Sequence, residues 1–124
     1  VPAEGAWYGF YAAYSGYDGY LRWAFNSWTK YPLYDTRFRS WPAGDTYMVY
    51  PYGRSSARFE KLIEGIQAAE KMRILREEFV STGNTVKLVE LDALLEKFNY
   101  NSQYTEDFPA LIHDGQQVLN ALSY

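Results

Sequence analysis

At 124 residues, with 48% hydrophobic and 22% charged side chains, the chain is sized for one modest domain around a single core. A net charge of −3 with no basic stripe argues against nucleic acid as a partner. No apolar run approaches the roughly 20 residues that cross a bilayer, so no membrane partner is expected. With no cysteine and His113 as the single histidine, disulfides, thiolate sites and histidine-cluster metal sites are excluded, and no cofactor or metal is expected.

The aromatic content is 19%, and it is unevenly placed: residues 1–55 hold 17 of the 24 aromatics, while residues 56–124 hold 18 of the 27 charges. An aromatic, nearly neutral part therefore precedes a helical, acidic one. The N-terminus shows neither a charged n-region nor an apolar h-region, so no signal peptide is visible.

Residues 2–15 read as a helix. Pro2 suits a first turn, Glu4 complements the positive helix end, and Trp7, Phe10, Tyr11 and Tyr14 form one helical stripe. Gly16 ends it, and GYDG is turn chemistry. Residues 19–26 read as a strand, with Leu21, Trp23 and Phe25 alternating against Tyr20, Arg22, Ala24 and Asn26. Large side chains on both faces predict a strand covered on both sides, with Trp23 and Phe25 in the core. Residues 27–44 form a long aromatic loop, a length that is usually functional when ordered. TYMVY, residues 46–50, reads as a second strand closed by Pro51 and Gly53.

Ser55 or Ser56 then caps a helix reaching about Phe79, with Phe59, Leu62, Ile63 and Ile66 on its apolar face. STGN breaks the chain. A helix over about 86–98 carries Leu88, Leu91, Leu95 and Phe98. Asp107 or Thr105 caps a last helix with Pro109 in its first turn, reaching roughly Leu122. Helix–strand alternation implies parallel strands with crossover helices, hence an α/β class. Both strands expect neighbours that the chain does not contain.

Three blocks, DGYLRWAFNSW, PLYDTRFRSWPAGDTYMVYP and SSARFEKLIEGI, resemble in order and spacing the C-terminal part of the catalytic domain of glycoside hydrolase family 123 and its relatives in domain-of-unknown-function family 4091. The resemblance covers about residues 2–70. It implies a fragment of a (β/α)₈ TIM barrel: residues 1–79 as its last two β/α units, and 80–124 as a C-terminal helical extension. It also implies a retaining N-acetylgalactosaminidase-like enzyme that uses the substrate's acetamido oxygen as internal nucleophile beside an adjacent Asp-Glu pair. No Asp-Glu dipeptide occurs in the sequence, so no catalytic residue is assigned, and the chain alone is expected to be inactive. The implied partners are an N-acetylhexosamine-containing glycan and either the remainder of a parent chain or another copy of this one. Glycan-degrading relatives are commonly exported, which implies a secreted or periplasmic setting. The alternative is a non-catalytic carbohydrate-binding or structural domain.

In such a barrel, sites form at the C-terminal ends of strands. That selects Asn26 and Trp28 after the first strand, and Tyr52 and Arg54 after the second, as substrate-binding residues. Aromatic planes cover the apolar C–H faces of a sugar, while amides and guanidinium groups bind its hydroxyls. Trp28 reads equally as platform or as loop packing, and Asn26 equally as ligand or as a bond to its own loop. Arg22 reads as half of a structural ion pair, since a buried arginine needs a carboxylate. Asp35 and Arg37 read as a loop clip. Gly65, costly inside a helix, implies close packing against a neighbour.

Overall fold

The computed structural model describes residues 2–99, 101 and 107–124, and among these it is a helical protein with no sheet. Four helices follow in order: α1 Glu4–Ser15, α2 Ala57–Thr82, α3 Thr85–Glu96 and α4 Phe108–Leu122. The expected α/β class, with two parallel strands of a TIM barrel, is therefore overturned.

The two segments read as strands meet only at an isolated antiparallel bridge between Asn26 and Tyr47. Met48 N–H donates to the Phe25 carbonyl at 2.7 Å, and Ser27 N–H to the Thr46 carbonyl at 3.1 Å. The long loop brings the chain back upon itself, which makes the pairing antiparallel. Two short segments with no third strand fall below what a sheet needs. The period-2 alternation of residues 21–25 is present, but with its apolar face outward. Leu21, Trp23 and Phe25 are 94%, 58% and 50% exposed, so the expected core placement of Trp23 and Phe25 is also corrected. Arg22 and Ala24 point inward instead.

Helix ends follow local chemistry closely. Gly16 and Gly83 close α1 and α2 in the left-handed region, at φ 72° and 68°. Ser56, rather than Ser55, caps α2: its Oγ accepts from Phe59 N–H at 3.1 Å and donates to the Met48 carbonyl at 2.5 Å. Asn84 caps α3 by accepting from Lys87 N–H at 3.2 Å. Asp107 occupies the α4 cap position without a side-chain bond, and Thr105 lies outside the described residues.

The core forms where α1 lies across α2. Gly9 approaches Gly65 so closely that a Cβ on Gly9 would fall on the Gly65 carbonyl and only 2.6 Å from its Cα. A Cβ on Gly5 would meet Leu62 N at 2.8 Å. This backbone-on-backbone crossing, which Gly65 foretold, shifts the buried face of α2. Gly65, Ala68, Met72, Leu75 and Phe79 are buried, while Ile66 of the expected face is 52% exposed. Phe10, Phe98, Leu91 and Leu119 complete one cluster drawn from all four helices and the end of α3, with Phe10 stacked on Phe98 at 4.2 Å between ring centres. Arg73 pairs with Glu70 at 2.5 Å and Glu77 at 2.8 Å on the outer face of α2, and Arg76 pairs with Asp92 of α3.

Candidate functional site

The residues selected from the sequence lie on the loop end of the molecule, tied to the segment 47–54. Asn26 bridges Tyr47 through the backbone and leaves its side chain exposed. Trp28 donates its indole N–H to the Val49 carbonyl at 2.8 Å yet remains 38% exposed. That bond satisfies the polar edge of the ring and fixes its plane. Arg54 accepts from Tyr50 N–H at 2.8 Å through its carbonyl, so its guanidinium projects from a tight turn. Tyr52 is 94% exposed at the tip of that turn, where it and Gly53 both take positive φ, 65° and 71°. A tyrosine in the left-handed region is uncommon and strained relative to glycine.

The rim rests on a small polar lattice. Thr46, fully buried, donates to the Ser27 carbonyl at 2.7 Å. The Tyr47 hydroxyl accepts from Thr29 N–H at 2.9 Å, and its ring meets Tyr50 edge-on at 5.4 Å. Trp28 therefore sits over a braced floor. Asn26, Trp28 and Arg54 are joined through 47–54, whereas the Tyr52 side chain stands almost wholly exposed among the described residues.

The ion pairs read from the sequence are present. Arg22 Nη2 meets Asp45 Oδ1 at 2.8 Å and the Asp45 carbonyl at 2.6 Å. The Arg37 guanidinium grips both Asp35 oxygens at 2.9 and 3.0 Å, and Arg37 N–H adds a third bond at 3.0 Å. The Arg37 side chain, followed by that backbone bond, draws the Asp35 carboxyl down to about 2. A depressed carboxylate stabilises the folded loop at pH above its unfolded value of ~3.9, and this contribution is lost as pH falls through about 2. Carbon-detected NMR titration should place the Asp35 midpoint near 2, and Arg37→Ala, which keeps the backbone N–H bond, should raise it part of the way towards ~3.9. An unchanged midpoint in that variant would show that the clip does not hold the carboxylate.

A second concavity lies elsewhere. A groove of about 480 Å³ runs between α1 and residues 17–23, walled by Trp7, Tyr8, Tyr11, Tyr20 and Trp23, with Arg22 and Arg58 among its polar groups. Trp7 stacks on Tyr11 at 4.8 Å, and Tyr20 lies tilted at 6.0 Å from Tyr8, where burial raises its phenol above the ordinary value. None of Asn26, Trp28, Tyr52 or Arg54 lines it. No local pattern marks this groove, because its walls come from α1, the 17–23 segment and the start of α2. By sequence alone, Arg58 belongs with Glu60 and Glu64 to a solvated or ion-paired helix face.

Among the described residues no group of three His, Cys, Asp or Glu side chains is placed to hold a metal, and no helix is long and apolar enough to cross a membrane. No curated protein matches the chain. Residues 1–75 match the family described as Glycoside hydrolase 123, catalytic domain.

Proposed function

Since the chain belongs to the glycoside hydrolase 123 catalytic-domain family, we propose that it supplies part of the sugar-binding surface of a glycosidase-like protein and not its catalytic acid. The observation that carries this reading is the family match over residues 1–75. The proposed substrate is a glycan ending in an N-acetylhexosamine, N-acetylgalactosamine first, cleaved with retention by way of the substrate's own acetamido oxygen. That chemistry needs a carboxyl group beside the acetamide, and the Asp-Glu pair expected to supply it does not occur in this sequence. The acid then comes from another segment of a parent polypeptide. The outward Leu21 and Phe25 support a covering partner, the remainder of such a parent or a second copy, because exposed apolar surface marks interaction sites.

On this surface Trp28 is the platform for the apolar face of the sugar, and Asn26 and Arg54 meet its hydroxyls. The fixed, half-exposed indole supports that role, since its ring is oriented before any ligand arrives. Tyr52 is the outermost contact. Titration with N-acetylgalactosamine, followed by NMR, should give saturable shifts around Trp28, and Trp28→Ala should weaken binding by about 5- to 10-fold. Binding unchanged in that variant would remove Trp28 from the site. The missing acid pair also favours a second reading, a non-catalytic carbohydrate-binding or structural role. Saturable binding with no turnover by any longer form would select it.

A further inference from the structure

The groove beside α1 holds an arginine, Arg58, that the loop-end rim does not use. Two guanidinium groups converge on the Gly44–Asp45 corner. Arg22 takes the Asp45 carboxylate and carbonyl through one nitrogen. Arg58 Nη1 lies against Gly44, 2.5 Å from where a Cβ on that glycine would sit. Both arginines line the groove. Asp45 is thus the carboxylate that answers Arg22, while Arg58 lies against the neighbouring glycine.

Arg58 itself makes no hydrogen bond or ion pair with the described residues. Lys61, one turn on, is taken up by Glu64 at 2.7 Å. Glu4 also lines the groove but has an interaction of its own. Arg22 Nε is, among the described residues, the buried side-chain polar atom left without a partner. Arg58 is therefore left without a counter-charge among the described residues, and the groove walls beside it are aromatic. A planar guanidinium with free donors fits a carboxylate or sulfate in two-pronged fashion.

We propose that this groove is a subsite for a saccharide bearing an anionic substituent, a carboxylate or a sulfate, with Arg58 taking the charge and the aromatic walls covering the sugar's C–H face. The choice of a saccharide rests on the family reading above; the anionic group rests on Arg58, which has no counter-ion among the described residues. A volume of about 480 Å³ suits one or two sugar rings.

The test compares D-galacturonate and N-acetylgalactosamine 6-sulfate with neutral N-acetylgalactosamine, read by the indole N–H signals of Trp7 and Trp23 in proton–nitrogen spectra. Both charged sugars should shift these signals and bind at least about tenfold more tightly than the neutral one at low salt. Arg58→Gln should reduce them to the neutral level with an unchanged thermal midpoint. Trp23→Ala, which removes an exposed wall and leaves the core intact, should weaken charged and neutral sugars alike. Equal binding of charged and neutral sugars, an unaffected Arg58→Gln, or no response to either charged sugar would overturn the proposal. Inorganic sulfate reproducing the full response would overturn the saccharide. Trp28→Ala should leave the Trp7 and Trp23 response in place, so failure of the loop-end rim and failure of this groove are separately visible.

Discussion

Gly9→Ala is expected to destabilise the protein by about 3 kcal/mol, one of the largest losses available from a single methyl group. Alanine in place of glycine in a helix ordinarily gains about 1 kcal/mol. Here the added carbon falls on the Gly65 carbonyl and 2.6 Å from Gly65 Cα, and these are backbone atoms that cannot rotate away. The two helices must move apart, and the cluster of Ala6, Trp7, Phe10, Ala68 and Met72 opens with them. Denaturant unfolding should show a lowered midpoint with an unchanged slope. Gly16→Ala is the control: it has open space around it but a φ of 72°, so it should lose only about 1 kcal/mol. A neutral or stabilising Gly9→Ala would contradict the close crossing of α1 on α2.

Phe98→Ala should cost 3–5 kcal/mol, roughly the range for truncating a buried aromatic. Phe98 is fully buried, stacks on Phe10 at 4.2 Å and 17°, and its ring tip lies 3.0 Å from where a Cβ on Gly115 would stand. One side chain therefore joins the end of α3 to α1 and α4. A double-mutant cycle with Phe10→Ala should return a coupling of roughly 0.5–1.5 kcal/mol for the ring pair. A loss below ~1 kcal/mol for Phe98→Ala would mean that residues beyond α2 pack independently of α1.

These two predictions concern contacts only half visible in the sequence. Gly65 announced that something passes close, because a glycine in mid-helix is otherwise costly. Its partner Gly9 could not be read, since a contact between residues far apart in the chain leaves no periodic trace. Helix ends were legible because caps are local: Gly16, Ser56 and Gly83 satisfy or turn the backbone within a few residues. The alternation of 21–25 was legible too, but alternation states only that two faces differ. Which face turns inward depends on what covers it, and here Arg22 goes in to meet Asp45 while Leu21, Trp23 and Phe25 face out.

The same distinction governs the sites. Arg22 called for a carboxylate on simple desolvation grounds, and Asp45 answers it across 23 residues of sequence. Arg58 called for nothing, because an arginine in the first turn of an amphipathic helix is ordinary. Its significance emerges only when the loop folds Gly44 against it. Trp28 could be selected as an aromatic next to an amide, but the Val49 carbonyl that fixes its plane belongs to a segment 21 residues away.

Hydrolysis of an aryl N-acetylgalactosaminide decides whether the catalytic acid lies outside this sequence. This 124-residue chain should show no turnover above background, and turnover should appear once it is joined to a segment that brings the Asp-Glu pair. Turnover by the chain alone, abolished by changing one of its own carboxylates, would contradict that placement of the acid.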